Sequence, residues 1–513
     1  MDAPPEKRPG PSRRIASVLR VVSMGLGAPL VAALALFTLV FAVRCTQVWL
    51  FPSAPDAPHA AQKQAYLDAL PAVDAAAAPN IVVIFFDDLG WGDLSAQGNR
   101  LIETPRIDRA AAEGLRMTHF YSASPVCTPS RAALLTGRFP PRSRTDRHVF
   151  FPEGSAIGIG RRMLGWANEL PADEITLAEV LQRAGYATAL VGKWHLGDRE
   201  GFRPGDFGFE RWLGVMYSND MWPLHLYRDG AIVQRDERAG GAFAAERDEA
   251  HPLGEGGIDQ STLTARYTDE AIAFIESHSN APFFLLLAHT FPHVPHYPSA
   301  DHAGQSRGGR YGDVVEDLDR STGALLDALD RLELSERTIV VITSDNGADY
   351  GGSPGGLRGR KGDILEGGQR VPMIVRWPGR VAPGQVSDAP AMNVDLFPTV
   401  LALTGLPLPG DREIDGESLM PLLEGETPAP RDLFFFPVAR TMPGAIRRGP
   451  FKWLHRTGDL GRDRGHLSRV DLDEEAHELS DLHPAEAAAL TGELEAMRAQ
   501  VAANPRGWIE TGH

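Results

Sequence analysis

Asn80-Ile-Val-Val-Ile-Phe-Phe-Asp-Asp-Leu-Gly90 decides the fold class. Asn80 to Phe86 is an apolar run of strand length without polar alternation. That is the pattern of a strand buried on both faces of a parallel sheet. Two carboxylates, Asp87 and Asp88, stand at its carboxyl end. The arrangement recurs along the chain. Thr338 to Thr343 is a second buried run and ends in Ser344-Asp345-Asn346-Gly347. Ala187 to Val191 runs into Gly192-Lys193-Trp194-His195-Leu196-Gly197. Phe283 to Ala288 runs into a histidine-rich exit, His289 to His296. Met373 to Trp377 reads as a further strand.

Helical patterns fall between these runs. Pro105 to Glu113 is closed by Gly114. Thr176-Leu-Ala-Glu179 is a capping box opening Leu177 to Ala184. Ala265 to His278 and Val394 to Leu403 follow, and Val314 to Leu332 places Val315, Leu318, Leu325, Leu326 and Leu329 on one face. Strands alternating with helices predict an α/β fold, a mostly parallel central sheet flanked by helices. In such sheets ligands gather at the carboxyl ends of strands, where each polar cluster falls.

The chain has 513 residues, 43% hydrophobic and 23% charged, enough for one large domain and a smaller one. A net charge of −16 weighs against nucleic acid as a partner. Any anion site must therefore be local, built from a few lysines, arginines and a cation. Cys45 and Cys127 are the two cysteines, so modification of Cys127 would preclude an intramolecular disulfide.

Residues 1–20 form a basic tail, with Lys7, Arg8, Arg13, Arg14 and Arg20 against Asp2 and Glu6. Val21 to Val43 carries no charge and as a helix would span about 34 Å, enough for a transmembrane helix. The basic flank predicts a cytoplasmic N-terminus and a body on the periplasmic or extracellular side. A cleaved signal peptide is the rival reading. Cutting at Ala33-Leu34-Ala35 would leave Leu36 to Val43 as an exposed apolar end, so an uncleaved signal-anchor is expected. A lipoprotein site at Cys45 is disfavoured by Arg44. Residues 44–78, rich in Ala, Pro and Asp, read as a linker. The main domain spans 79–425, with a polar insertion at 228–260. From 426 to 513 the chain changes style. Ala445 to His455 and Leu467 to Leu482 read as short antiparallel strands, and Pro484 to Ala503 as a closing helix, a small α+β subdomain.

Ser124-Pro-Val-Cys127-Thr-Pro-Ser-Arg131-Ala-Ala-Leu-Leu-Thr-Gly137 places a cysteine at a helix N-terminus, where the dipole favours negative charge. Arg131 lies one turn later. A buried structural cysteine is the plain alternative. Asp87 with Asp88, and Asp345 with Asn346, are each ordinary turn pairs alone. Together they offer three carboxylates and an amide oxygen, hard ligands for Ca²⁺ or Mg²⁺ rather than zinc. Lys193 and His195 are two residues apart, so their side chains diverge unless the loop turns them inward. Leu357 to Pro372 is a basic glycine-rich loop containing Lys361 and Glu366. His293, His296 and Ser218 lie in segments that read equally well as solvated loops.

Cys127-Thr-Pro-Ser-Arg131, with Leu135-Thr-Gly137, resembles the Cys-x-Pro-Ser-Arg motif of the sulfatase family. Gly192 to Gly197 and Lys361-Gly-x-x-x-Glu366-Gly-Gly match two further motifs, and Tyr217 to Asp220 is similar to the arylsulfatase A-like branch. The motifs occur in family order and the resemblance covers about residues 79 to 405. It implies an alkaline phosphatase/sulfatase-like fold and hydrolysis of an aryl or carbohydrate sulfate ester. It also implies that a formylglycine-generating enzyme oxidises Cys127 to an aldehyde that hydrates to the nucleophile. Asp87, Asp88, Asp345, Asn346 and the oxygen at position 127 would bind one divalent cation, usually Ca²⁺ and with Mg²⁺ as the second choice. By the same resemblance Lys193 and Lys361 hold the sulfate and Ser218 touches it. Arg131 offsets charge, His195 is the base that releases sulfate, and His293 faces the leaving oxygen, with His296 less suited. A phosphonate or phosphodiester hydrolase with the same nucleophile is the rival. A phosphoethanolamine transferase would want a threonine nucleophile and zinc ligands. An inactive binding protein requires that Cys127 stay unmodified.

Overall fold

A computed structural model describes residues 57–236, 257–457, 463–470 and 477–510, with six helical positions between 35 and 43. Those six fall in a small unit that also includes Arg162–Gly165, and the sheet belongs to the larger one. The basic tail, most of the Val21 to Val43 run and the centre of the insertion lie outside the described residues. Among the described residues no helix is long and apolar enough to cross a membrane.

Strand β1 (Asn80–Phe86) forms the middle of a ten-stranded sheet. Its alternate side chains enter two cores. Ile81, Val83 and Phe85 pack on one face, and Val82, Ile84 and Phe86 on the other. That is why no polar residue interrupts the run; each such side chain contributes about 1.5–3 kcal/mol on burial. In chain order the other strands are β2 (Leu115–Met117), β3 (Phe120–Tyr121), β4 (Ala187–Lys193), β5 (Arg211–Val215), β6 (Leu226–Arg228), β7 (Ala231–Gln234), β8 (Phe283–Ala288), β9 (Thr338–Ser344), β10 (Met373–Arg376), β11 (Gln385–Ser387) and β12 (Ala391–Met392). The sheet order is β11-β2-β10-β9-β1-β8-β4-β5-β6-β7, while β3 and β12 form a separate parallel pair.

The run β9-β1-β8-β4-β5 is parallel throughout, with Val82 level with Leu285 and Val340. The margins depart from this parallel pattern in part, although β11 still pairs parallel with β2. β10 is antiparallel to both β9 and β2, and β6 and β7 are added antiparallel beyond β5. The sheet is therefore mixed. The cause at β10 is visible in the segment before it. Gly347 N–H donates to Gly368 O at 2.9 Å and Lys361 N–H to Ala348 O at 2.9 Å. The excursion between β9 and β10 is thus pinned back on its own start. It stays at the carboxyl end of the sheet, and the chain re-enters from that end.

Helices cover both faces, among them Leu177–Arg183 with its capping box, Leu263–Ser277 and Gly309–Arg331. Part of the expected linker is also ordered as a helix, Ala57–Asp68. Its Leu67 is buried, and Lys63 donates to the carbonyls of Ala172 and Glu174 and pairs with Glu179. Alanine, glutamine and lysine are good helix formers, so the composition that reads as a linker also suits a helix once it has a surface to pack on.

Toward the C-terminus β13 (Asp432–Phe435), β14 (Ala445–Arg448), β15 (Phe451–Thr457) and β16 (Asp463–Arg469) form an antiparallel meander. The helix Pro484–Ala503 sets Ala487, Leu490 and Leu494 against Ile446 and Leu467. The strand expected from Leu467 ends by Arg469, and residues 471–476 lie outside the described residues.

Candidate active site

Four strand ends and one helix start converge. β1 delivers Asp87 and Asp88, β9 delivers Asp345 and Asn346, β4 delivers Lys193, and His293 lies beyond β8. Cys127 begins the helix Cys127–Thr136, every residue of which is buried. Its Sγ donates to Asp87 Oδ1 at 3.4 Å. Lys193 Nζ donates to Asp87 Oδ2 at 2.5 Å and to Ser218 Oγ at 3.2 Å. Lys361 Nζ donates to Asp88 Oδ2 at 2.8 Å. Arg131 holds Asp345 Oδ2 through Nε at 3.0 Å and Nη2 at 2.8 Å, and its Nη1 donates to Lys193 O at 2.9 Å.

Two residues escape sequence-level geometry through left-handed backbone. Asp88 has φ 69° and His195 has φ 63°. The turn at His195 brings its ring inward beside Lys193, the condition that the two-residue spacing left open. Thr128 fixes the turn, donating to His195 O at 3.0 Å and accepting from Phe150 N–H at 3.0 Å. His195 Nε2 bonds Phe150 O at 3.0 Å, so it carries the hydrogen. Nδ1 is then the basic nitrogen, and it is buried with no hydrogen-bond partner. His293 Nδ1 likewise donates to Val294 O at 2.5 Å, and its Nε2 lies 3.8 Å from Asp88 Oδ2. Ser218 Oγ lies 3.3 Å from the His293 ring nitrogens.

The electrostatics follow from burial and charge balance. Burial opposes ionisation of Asp87, but Lys193, His293, Arg131 and Lys361 hold its carboxyl well below the usual carboxylate range. Burial, and then the charge of Asp87, pushes Asp345 up to about 6. Burial pushes the Cys127 thiol well up despite Lys193 and Lys361. An unmodified thiol here is protonated and a poor nucleophile. Burial, with Lys193 and Arg131 alongside, holds the His195 imidazole well below its ordinary value. It is therefore neutral at neutral pH and able to accept a proton.

A buried cluster here could hold a metal ion. One ligand atom from each of Asp87, Asp88, Cys127 and His293 lies within 4.8 Å of the others. Asn346 donates Nδ2 to Asp88 Oδ1 at 2.7 Å, which leaves its Oδ1 buried with no hydrogen-bond partner. An orphaned amide oxygen beside two carboxylates is what an oxygen-loving cation would satisfy. Asp345 is more heavily used, by Arg131 and by the Asp88 N–H at 3.1 Å.

Every residue expected at the site is thus brought to it except His296, whose ring lies edge-on to Tyr311 at 5.2 Å. Sequence reading missed the supports. Asn393 donates to Ser130 O at 3.0 Å and accepts from Ala123 N–H at 2.9 Å, bracing the segment around Cys127. Thr128 and the Phe150 carbonyl orient His195. Thr128 sits in the Cys127 motif with no mark of that role, and the rest are long-range contacts with no local pattern.

The Sulfatase family model matches residues 79–406. The steryl-sulfatase of Mus musculus is 37% identical over 447 residues, covering 74% of this chain and 70% of its own. The N-acetylgalactosamine-6-sulfatase of Homo sapiens is 41% identical over 379 residues, covering 70% of this chain and 68% of its own. A solved sulfatase from Pseudoalteromonas sp. superposes with TM-score 0.69 at 27% identity, covering 88% of this chain and 95% of its own. With its motif residues gathered into one buried, charge-balanced cluster, this chain belongs to the sulfatase family and is a sulfuric ester hydrolase.

Proposed function

We propose that the enzyme hydrolyses an aryl or carbohydrate sulfate ester through a formylglycine formed from Cys127 and one divalent cation, Ca²⁺ or Mg²⁺. The observation that carries this reading is the position of Cys127. It stands at a helix N-terminus against Asp87, with Lys193 and Lys361 acting on it and its own thiol too buried to ionise. Asp87, Asp88, Asp345 and Asn346, with the oxygen at position 127, would hold the cation. Hydrated formylglycine and the cation would supply an oxygen nucleophile bearing a second hydroxyl, and positive charge beside it.

The remaining work falls to this chain's side chains. Asp87, Asp88 and Asp345 formally balance Arg131, Lys193 and Lys361. A dication therefore leaves the site net positive, matched to an anionic sulfuryl group. Lys193, Lys361 and Ser218 bind and orient that group. His293, with Nδ1–H spent on Val294 O, presents Nε2 to donate a proton to the leaving alcohol. His195 accepts a proton at its unpartnered Nδ1.

The test is a panel of aryl sulfates, a steroid sulfate and 6-O-sulfated amino sugars, with phosphate and phosphonate esters alongside. Sulfate release is expected to give the highest kcat/KM. A higher value for a phosphonate or phosphodiester would replace this reading with the rival hydrolase.

We also propose that residues 21–43 anchor the protein, with the catalytic body on the periplasmic or extracellular side. The charge-free run and the basic flank before it support this. The full-length protein should stay with membranes through salt and carbonate washes. A mature N-terminus at or beyond Leu36 would contradict the anchor.

A further inference from the structure

The loop that carries Lys361 is held from the C-terminal meander. Lys452, on β15, is fully buried. Its Nζ donates to Ile364 O at 2.8 Å and to Glu366 Oε1 at 3.0 Å, and lies 4.2 Å from the Phe435 ring centre. Glu366 is buried as well. Its other oxygen accepts from Tyr121 OH at 2.7 Å, and that hydroxyl accepts in turn from Arg447 of β14. Burial opposes the charge on Glu366, but Lys452, Arg447 and Arg370 keep it ionised.

Glu366 opens the four-residue turn Glu366–Gln369, and that turn is wedged under the site. Gly367 N–H donates to Arg358 O at 2.7 Å, and Gly368 O receives Gly347 N–H, next to Asn346, at 2.9 Å. A Cβ on Gly347 would lie 2.0 Å from Gly367 O, so the two backbones are in direct contact there. Gly362 N–H donates to Pro125 O at 2.9 Å, two residues before Cys127. Displacement of Glu366 therefore reaches Lys361, Asn346 and the approach to Cys127 through backbone contacts.

We propose that Lys452 and Glu366 are positioning residues, a buried strut by which the C-terminal meander sets the place of Lys361 over Asp88. A buried ion pair often adds little net stability, and its best-attested use is to fix one arrangement among several. Here the arrangement fixed is that of the substrate-holding lysine. The proposal rests on the assigned role of Lys361.

The experiment is a double-mutant cycle on the full chain. Removing one partner alone would strand a buried charge, so both charges are removed together in Glu366→Gln/Lys452→Met. Its kcat/KM is expected to fall by about tenfold or more, whereas in a Lys361→Ala background the same change should cost less than about twofold. Tyr121→Phe, which deletes one hydroxyl, should give a smaller loss with the same non-additivity. Amide exchange at Lys361, Gly362 and Gly367 should speed up by about tenfold, with β1 unchanged. Equal losses in both Lys361 backgrounds, or no loss in either, would overturn the strut while leaving Lys361 in its role. Lys361→Ala at the wild-type rate would overturn the role of Lys361 and the strut with it.

Discussion

Cys127→Ser should fold and lose repeated turnover, by about 10⁴-fold or more in kcat. The substitution keeps an oxygen against Asp87, where Cys127 Sγ now sits 3.4 Å from Oδ1. Serine is slightly smaller than cysteine, so packing around position 127 changes little. Its oxygen can attack sulfur, with His293 passing a proton to the departing alcohol. It has no second hydroxyl, so His195 has no proton to remove and sulfate cannot be expelled by that route. At most one slow turnover is expected, leaving a sulfate ester on the introduced serine, read as a mass increase on that peptide. Cys127→Ala should fold equally well and give neither turnover nor adduct. Repeated turnover of Cys127→Ser at the wild-type rate would replace the proposed chemistry with direct attack by an alcohol.

Chelation should abolish activity, and Ca²⁺ or Mg²⁺ should restore it better than Zn²⁺, because the donors are carboxylates and an amide oxygen. Asp88→Asn is the matching substitution. It is isosteric but keeps a single oxygen, for either Lys361, now 2.8 Å from Oδ2, or Asn346, now 2.7 Å from Oδ1, and it removes one anionic ligand. A loss of about 10²-fold or more in kcat/KM is expected, partly recovered at high cation concentration. Asp345→Ala is a less specific probe. It takes away the carboxylate that Arg131 grips at 3.0 and 2.8 Å and leaves the buried guanidinium only Asp87 Oδ2, at 3.7 Å, as a counter-charge, so it destabilises the site beyond the loss of a ligand. Full activity in protein shown by elemental analysis to be metal-free would contradict the cation's role.

The parts of this molecule legible from sequence are those whose cause is local. Asn80 to Phe86 announces a two-faced buried strand because both faces are covered, and the carboxylates after it mark the functional end of the sheet. Thr176 to Glu179 announces a helix start because the cap is made within four residues. The Cys127, Lys193 and Lys361 segments stand out by composition and order. Strand direction at β10 is not legible, because the hydrophobic run is the same either way. It is set by the pinning of Lys361 and Gly347 upstream. The helix Ala57–Asp68 is hidden for a similar reason, since its partners Ala172, Glu174 and Glu179 lie more than a hundred residues away. The His195 turn and the Glu366–Lys452 strut depend on contacts with Phe150 and with β15. No window around either residue contains the answer.

The most direct measurement is mass spectrometry of the tryptic peptide Met117–Arg131 from active enzyme made in its native host. The proposed chemistry predicts that this peptide carries an aldehyde in place of the Cys127 thiol, and that the modified fraction tracks specific activity from one host to another. Fully active enzyme whose Cys127 is entirely unmodified thiol would contradict it.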